Sequence, residues 1–408
     1  MRKVFWFINQ YSSTPESGLG GRHYYLAQEL ARQGHLVYVI ASNSHHFLRV
    51  PKHFSENFLV ERVEDNFNFI WVKLPVYDGA HSRRRVLNWF EFSWKLGKLA
   101  SLKIEKPDVI IYSSPSLIGY MGAKKLANKF GVPFVFEVRD IWPLTLTELG
   151  GISKKHPFIK FMQWIEDRAY QKSDIVFSNL FNAVEHMVSR GMDKNKFHWI
   201  PNGISISEVE NKEPLSDKVI SQIPTDKFII GYTGTIGTAN AIDNLIEAAN
   251  LLKDYPEIHF LLVGGGKDKK QLENLVKNNG LINVTFIESI PKKQVQSIIQ
   301  LFDVCFIGSQ NVSLYRFGVA PNKVPEYLYS GKPIIHAYSG AGCLIEKSMS
   351  GFSIPSGDSQ LLSEAILKLY HLSSEERFEM GRNGHEFAVN YLSYTQISKK
   401  LFKAIFGD

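Results

Sequence analysis

The sequence has few cysteines and no long apolar segment. Cys305 and Cys343 are its two cysteines in 408 residues, too few for a disulfide framework and without the spacing of a metal site, so a reducing, cytosolic setting is predicted. The apolar start at Val4–Ile8 is shorter than the core of a signal peptide and predicts a buried strand instead. Since no run approaches the ~18 to 20 apolar residues that span a bilayer, we expect a soluble protein or one that lies on a membrane surface.

Two common nucleotide-binding motifs are also missing. Neither the GxGxxG spacing of a dinucleotide site nor the GxxxxGK[ST] loop of a P-loop NTPase occurs. The net charge of +7 and the pI near 9.0 nevertheless favour an anionic partner. Because no RRM, KH or helix-turn-helix pattern accompanies that charge, we expect the partner not to be a nucleic acid.

What is present is a repeated alternation of strand and helix. Apolar runs of strand length, such as Phe134–Val138 and Phe228–Thr233, alternate with helical patterns, which predicts parallel sheets covered on both faces. A polar segment with two prolines interrupts the alternation. We therefore predict an α/β fold of two Rossmann-like, doubly wound domains facing each other across a cleft: residues 1–204, a linker at 205–227, residues 228–385, and a C-terminal helix in 386–408 that packs back on the first domain.

One turn looks suited to an anion. The stretch YRFGVAPNKVPEYLYSGKPII, Tyr315–Ile335, places glycine, proline and asparagine before a short predicted helix. Such a turn presents backbone N–H groups to one spot, and the helix dipole favours negative charge there. Lys323, beside the turn, is a candidate cation for the same anion, although an ordinary solvated lysine at a helix start is the alternative interpretation.

Several motifs occur in one order along the chain. They are Gly-Gly at 20–21, Val-Pro-Phe-Val-Phe-Glu-Val-Arg-Asp at 132–140, Ile-Pro-Asn-Gly-Ile at 200–204, Gly-Tyr-Thr-Gly-Thr at 231–235, Leu-Leu-Val-Gly-Gly-Gly at 261–266 and the Asn-Lys-Val-Pro-Glu run that begins at 322. Together they resemble the GT-B glycosyltransferases of family 4 over nearly the whole chain. Within that family the likeness is to bacterial O-antigen and capsule sugar transferases of the WbuB type, which share Arg-Asp-Ile-Trp-Pro and Gly-Thr-Ile-Gly.

The resemblance implies retaining transfer of a sugar from a nucleotide donor, most often UDP-linked, without a catalytic metal or a separate cofactor. It places the nucleotide sugar on the C-terminal domain and a lipid-linked, polyprenyl-diphosphate glycan acceptor on the N-terminal one. The resemblance carries over Glu326 as the residue that accepts hydrogen bonds from the ribose. The other predicted catalytic residues, Lys323, Asp140 and Arg139, are proposed from their own positions in the sequence. The predicted donor-binding residues are Gly20, Gly21, Gly234, Thr235, Gly237, Gly264, Gly265, Arg316, Gly318 and Asn322.

The chain departs from the family pattern at three positions of the predicted C-terminal domain. The family's first glutamate is replaced by Gly318, and the Arg and Lys that usually hold the diphosphate are replaced by Thr235 and Asn240. Lys323 and Arg316 are therefore predicted to substitute for the missing cations.

In the N-terminal domain, Arg139-Asp140 stands where many members have His-Asp. We predict that this pair lies in the cleft. Asp140 is then a candidate general base, although the leaving phosphate can take the proton instead, and a structural ion pair is the alternative for Arg139-Asp140.

A basic, aromatic segment at 81–103 suggests contact with an anionic membrane. We predict a peripheral position on the inner face of a bacterial plasma membrane, with core packing of the same helix as the alternative. The residues predicted to make the contact are Arg83, Arg84, Arg85, Trp89 and Trp94. Two other functions stay open: a UDP-sugar 2-epimerase of the same architecture, and a non-enzymatic module that binds anions or nucleic acid.

Overall fold

The computed structural model describes residues 1–77, 79 and 82–407. They form two compact units, residues 1–201 with 394–407 and residues 202–393. His81, with which the predicted membrane segment begins, lies outside the described residues. Across the part of the chain that is described, no helix combines the length and the apolarity needed to cross a membrane.

The first unit is built on a sheet of eight described strands in the order β3-β4-β2-β1-β5-β6-β7-β8, in which only β3 runs antiparallel. The strands are β1 (Val4–Ile8), β2 (Leu36–Ser42), β3 (Phe58–Glu64), β4 (Phe67–Val72), β5 (Val109–Ser113), β6 (Phe134–Val138), β7 (Ile175–Ser178) and β8 (Phe197–Trp199). The helices are α1 (Arg22–Arg32), α2 (Arg83–Leu96), α3 (Ile118–Phe130), α4 (Leu144–Glu148), α5 (Pro157–Lys172), α6 (Ala183–Ser189) and α16 (Tyr394–Phe406).

The central strands of this sheet are apolar without alternation because both of their faces are covered. Every residue of β1, β2, β5 and β6 is buried. On one face, α1 and α16 pack together, where Tyr25 stacks on Tyr394 with the ring centroids 5.4 Å apart. The last helix of the chain therefore completes the core of the first unit.

The second unit has a fully parallel sheet, among the described residues, in the order β11-β10-β9-β12-β13-β14. Its strands are β9 (Phe228–Thr233), β10 (Ile258–Val263), β11 (Val284–Ile287), β12 (Val304–Gly308), β13 (Ile334–Ala337) and β14 (Gly351–Ile354). Its helices are α7 (Ile206–Glu210), α8 (Asp217–Ile220), α9 (Ile242–Leu251), α10 (Lys269–Asn278), α11 (Val295–Ile299), α12 (Lys323–Tyr329), α13 (Leu344–Lys347), α14 (Ser359–His371) and α15 (Ser374–Phe387).

The segment predicted as a linker differs from the expectation, because it holds two short helices that belong to the second unit. α7 and α8 lie within 205–227, and Val209 and Val219 are buried. Helices of five and four residues are too short to show an apolar face in the sequence pattern, so the polar composition dominated the interpretation.

Candidate functional site

Two glycine turns of the second unit pack backbone against backbone. A Cβ at Gly264, after β10, would lie 1.9 Å from the carbonyl oxygen of Gly234, which follows β9. A Cβ at Gly266 would lie 2.0 Å from the carbonyl oxygen of Ile236. Gly264 and Gly266 are therefore required for this close approach of the two backbones. A Cβ at Gly237, by contrast, would have one described neighbour within 4 Å, the Thr235 methyl group at 3.7 Å.

Lys323 lies over the first of these turns. It is the first residue of α12, and a Cβ at Gly234 would meet its Cε at 2.6 Å and its Nζ at 2.8 Å. The ammonium group also lies 5.0 Å from the centre of the Tyr232 ring and 3.5 Å from Oδ1 of Asn240. The absence of a side chain at Gly234 thus makes room for a cation at the end of β9.

The charge of Lys323 is not neutralised by a carboxylate. In the described part of the chain no acidic oxygen lies within 4.0 Å of its Nζ, because the Glu326 carboxylate, one turn along α12, pairs instead with Lys292. Burial lowers the pKa of Lys323, and the charge of Glu326 opposes that shift. A half-buried ammonium group of this kind gains most from a ligand that brings its own negative charge.

The two positions where the family has its cations are joined by hydrogen bonds. Nδ2 of Asn240 donates to the Thr235 carbonyl oxygen at 2.9 Å, and the Tyr232 hydroxyl donates to the same oxygen at 2.7 Å. Oδ1 of the same Asn240 side chain contacts the Lys323 ammonium group. The structure therefore brings the Lys323 ammonium group to the turn whose own side chains carry no charge.

The turn before α12 is held by a residue to which the sequence assigned no role. Nδ2 of Asn202, in the Ile-Pro-Asn-Gly-Ile motif, donates to the Ala320 carbonyl oxygen at 2.7 Å and to Oδ1 of Asn322 at 3.0 Å. Gly318 has a φ of 100° and Asn322 is exposed. The asparagine in a quoted motif was the available signal, since asparagine side chains often pair with backbone groups in turns.

The remaining predicted donor residues are less closely joined to Lys323. Arg316 is exposed, donates through Nη1 to the Ser313 carbonyl oxygen and lies 4.3 Å from the centre of the Phe317 ring. A Cβ at Gly265 would contact Oγ of Ser289 at 3.2 Å. No described contact joins Arg316 to Lys323 directly, and a shared role of the two as substitute cations stays a prediction.

In the first unit, the Gly20-Gly21 loop is shaped by Ser13. Its Oγ accepts hydrogen bonds from the backbone N–H groups of Leu19 at 3.1 Å and Gly20 at 3.2 Å. Gly20 and Gly21 have φ values of 65° and 90°, the left-handed region that favours glycine, and Gly21 caps α1. These two glycines set the path of the loop into α1.

A buried charge network follows this loop, and the sequence interpretation missed it. Nε of Arg22 donates to Glu137 at 2.9 Å, and Nε2 of His23 lies 2.7 Å from the other carboxylate oxygen. The remaining Arg22 nitrogens donate to the carbonyl oxygens of Ile200 and Pro201. Burial alone would raise the pKa of Glu137, but the charges of Arg22 and His23 hold it well below its usual range.

The predicted Arg139-Asp140 pair lies beyond the end of β6. The backbone N–H of Arg139 donates to Oγ of Ser114 at 2.9 Å, and its buried Nε has no hydrogen-bond partner among the described residues. Displacement of water by the surrounding protein raises the pKa of the Asp140 carboxyl group, and the charge of Arg139 opposes that shift. Since Asp140 is exposed, its carboxylate stays accessible to a bound ligand.

Of the residues predicted to contact a membrane, Trp89 is buried in the first unit and Arg85 is half-buried beside it. Trp89 is buried, with 3% of its surface exposed, and its Nε1 donates to the Tyr11 hydroxyl at 2.6 Å. Nε of half-buried Arg85 donates to the same oxygen at 3.1 Å. The prediction for Trp89 was wrong because its face of the helix packs inside the unit, whereas Arg84 and Trp94 lie on exposed faces. Membrane contact by Arg85 stays a prediction.

The comparisons with known proteins agree in pointing to one family. The family model "Glycosyltransferase Family 4" matches residues 17–208, and "Glycosyl transferases group 1" matches residues 215–387. WcaI of Escherichia coli K12, described as a colanic acid biosynthesis glycosyl transferase, is 26% identical over 348 residues, 82% of this chain and 84% of WcaI.

Solved structures show the same fold. Sucrose-phosphate synthase of Thermosynechococcus elongatus aligns with a TM-score of 0.72 at 17% identity, covering 98% of both chains. HepE of Anabaena, solved with UDP and glucose, aligns with a TM-score of 0.64 at 14% identity, covering 98% of this chain and 99% of HepE. Since the two family models together span most of the chain and the fold matches throughout, the chain is a family 4 glycosyltransferase of the GT-B fold.

Proposed function

We propose that this glycosyltransferase transfers a sugar, with retention of the anomeric configuration, from a UDP-sugar to a lipid-linked glycan. The proposed setting is the inner face of a bacterial plasma membrane, in the synthesis of a surface polysaccharide such as an O-antigen or capsule. WcaI, which is assigned to colanic acid biosynthesis, and HepE, which was solved with UDP, support the class of product and the nucleotide.

The observation that carries the proposal is the position of Lys323. Its ammonium group lies over the Gly234 turn with no carboxylate of the described chain within ion-pair distance. A diphosphate bound there would meet this charge together with the turn at Gly318–Asn322, in which Gly318 is buried and Asn322 is exposed. Because fixed positive charge stabilises a leaving diphosphate in the transition state, Lys323 would supply what a metal ion supplies in other transferases.

The proposed reaction breaks the bond between the anomeric carbon and the diphosphate oxygen. A bond forms between that carbon and the acceptor hydroxyl oxygen, on the face that the diphosphate leaves. The hydroxyl proton passes to the departing diphosphate or to Asp140, and Arg139 positions the Asp140 carboxylate. Glu326 accepts hydrogen bonds from the ribose hydroxyls, for which its Oε2 is available while Oε1 pairs with Lys292.

Calorimetric titration of the wild-type protein with UDP, GDP and ADP tests the nucleotide. We expect UDP to bind most tightly, and no binding of any of the three would overturn the proposal. Turnover that survives EDTA supports metal independence. Analysis of a UDP-sugar incubated without acceptor must show no change at C2 of the sugar, because such a change would indicate a 2-epimerase.

A second experiment tests the residues. Lys323→Ala and Glu326→Ala should each remove most of the turnover while far-ultraviolet circular dichroism stays unchanged. Full activity in both variants would contradict the assignment of the site. The anomeric configuration of the product, read by NMR, decides between retention and inversion.

A further inference from the structure

A basic groove of about 440 Å³ lies between α3 and α5 of the first unit. Four cationic side chains line it, and no carboxylate does so among the described residues. The lining cations are Lys124, Lys125, Arg168 and Lys172. Lys125 and Lys172 are exposed and have no described ion-pair partner, whereas Lys124 lies 3.3 Å from Asp174. The groove therefore carries positive charge that the protein itself only partly neutralises.

The groove lies apart from Arg139 and Asp140. Asp174, which binds Lys124, precedes β7 and accepts the backbone N–H of Phe134 at the start of β6 at 2.8 Å. That contact marks the amino ends of these parallel strands, whereas Arg139 and Asp140 follow the carboxyl end of β6. The groove is thus a separate site.

A row of exposed aromatic side chains leads into the groove. Phe90 of α2 stacks on Phe161 of α5 with centroids 6.3 Å apart, and Phe161 stacks on Trp164 at 6.2 Å. Trp164 is itself part of the groove lining. Stacked rings on two adjacent helices normally lie in a core, yet Phe90 and Trp164 are 44% and 47% exposed.

The same face of α2 extends this apolar row. Leu87, Phe90 and Trp94 are spaced i, i+3 and i+7, which places them on one side of the helix, and Leu87 and Trp94 are 57% and 62% exposed. Phe161, Trp164 and Arg168 repeat that spacing on α5. We call the set Leu87, Phe90, Trp94, Phe161 and Trp164 the aromatic face.

Cations flank the aromatic face throughout. Nζ of Lys98 lies 3.8 Å from the centre of the Trp94 ring, and the Arg168 guanidinium lies 4.6 Å from that of Trp164. Arg83 and Arg84 are exposed at the start of α2. Long basic side chains beside exposed tryptophans suit the boundary between lipid headgroups and acyl chains, where the rings enter the apolar layer and the cations meet phosphates.

We propose that the groove binds the phosphate of an anionic phospholipid headgroup while the aromatic face enters the outer part of the same lipid layer. Charge complementarity selects this occupant, because a neutral apolar partner would leave Lys125 and Lys172 without an ion-pair partner among the described residues, and a free phosphate would leave the aromatic face in water. The inference deepens the proposed function, and rests on it in one respect: a lipid-linked acceptor requires the enzyme to reach a bilayer.

Vesicle flotation with the full-length protein tests the proposal. We expect binding to vesicles of phosphatidylglycerol with phosphatidylcholine, and at least tenfold weaker binding to phosphatidylcholine alone. Because each basic residue strengthens binding to an anionic surface about fivefold, the double variant Lys125→Ala/Lys172→Ala should lose roughly twentyfold in affinity for the anionic vesicles. Its matched control, Lys253→Ala/Lys277→Ala, removes two exposed lysines of the second unit and should bind like wild type.

The aromatic face has its own pair of variants. Trp94→Ala/Trp164→Ala should weaken binding to the anionic vesicles about tenfold or more, whereas Phe378→Ala/Tyr391→Ala, which removes two rings that are 70% and 64% exposed, should not. Equal binding to both vesicle types, or wild-type binding by either test variant, would overturn the proposal. Tight calorimetric binding of glycerol 3-phosphate without vesicle binding would also overturn it, in favour of a free phosphate site.

UDP titration of the same samples separates the two proposals. All four double variants should bind UDP as the wild type does, because the substitutions lie outside the donor site. Vesicle binding without UDP binding by the wild type would refute the proposed function alone, and UDP binding without vesicle binding would refute the lipid site alone.

Discussion

Arg22 in the first unit and Lys323 in the second are both cations at the first residue of a helix, and Arg22 is buried while Lys323 is half-buried. Their partners differ. The Arg22 side chain is 1% exposed. It pairs with Glu137 at 2.9 Å and donates hydrogen bonds to two backbone carbonyl oxygens. Lys323 has one described hydrogen-bond partner, the Asn240 amide oxygen at 3.5 Å. We expect a cation whose hydrogen bonds are satisfied within the chain to stabilise the fold. A cation beside a turn without charged side chains can instead pair with a negatively charged ligand.

The largest effect is expected from removing one charge of the buried network of Arg22, His23 and Glu137. Glu137→Gln removes the carboxylate and leaves the buried Arg22 charge uncompensated, which should cost about 3–5 kcal/mol in the free energy of unfolding of the first unit. All seven tryptophans lie in this unit, so tryptophan fluorescence during urea unfolding reports on it directly.

Glu326→Gln is the matched control in the second unit. Its partner Lys292 is 50% exposed, so loss of this pair should change stability by less than about 1 kcal/mol. Equal destabilisation by the two substitutions, each measured on its own unit, would remove the distinction drawn between them.

Lys323→Met should leave stability nearly unchanged and lower kcat about 10²- to 10³-fold, the typical cost of losing one charge-stabilising group in a transition state. Lys277→Met, an exposed lysine of α10, serves as the control and should keep full activity. Adding Asn240→Lys to the Lys323→Met variant restores a cation at the family's usual position, and we expect partial recovery of kcat. No loss in the single variant, or no recovery in the double variant, would argue against a shared role.

A buried histidine makes the second unit sensitive to acid. Burial lowers the pKa of His336 to about 4, and its Nε2 has no partner among the described residues. Because the unfolded chain has the ordinary value near 6.5, the unfolded state binds more protons below that pH. The contribution of neutral His336 to the free energy of unfolding is therefore complete above pH ~6.5. It is lost as the pH falls towards 4, by up to about 3 kcal/mol. His336→Gln should flatten the dependence of the melting temperature on pH in this range, and an unaltered slope would contradict this.

The smallest effect concerns the turn before α12. Asn202→Ala removes two hydrogen bonds to Ala320 and Asn322, and should cost about 1 kcal/mol in stability together with a severalfold loss of UDP affinity. Asn202→Asp, which can no longer donate to the Ala320 carbonyl oxygen, should resemble the alanine variant. Wild-type affinity in both would show that the turn keeps its shape without this residue.

The sequence predicted the central strands but missed three of the four edge strands, for a physical reason. Phe134–Val138 and Phe228–Thr233 are rich in apolar residues because both of their faces are buried, and the observed bounds agree with the prediction. β3, β8 and β14 were not predicted, and all three lie at sheet edges, where the strands are mostly half-buried. These three edge strands have no continuous apolar run to reveal them.

The candidate site likewise has a part that could be predicted from the sequence and a part that could not. Motif glycines and Lys323 could be read from the turn itself, because their roles depend on local backbone shape. The Arg22–Glu137 pair joins residues 115 positions apart, and the pairing of Glu326 with Lys292 joins two helices, so neither follows from spacing along the chain. Long-range charge pairing is the part that required the structure.

The affinity of the protein for UDP and for uridine, measured by calorimetry at one salt concentration in wild type and in Lys323→Met, tests the central claim most directly. If Lys323 holds the diphosphate, UDP binding should weaken about 10- to 150-fold in the variant, the range expected for a charge-assisted hydrogen bond, while uridine binding stays unchanged. Equal UDP affinity in the two proteins would contradict the assignment of Lys323 as the cation of the donor site.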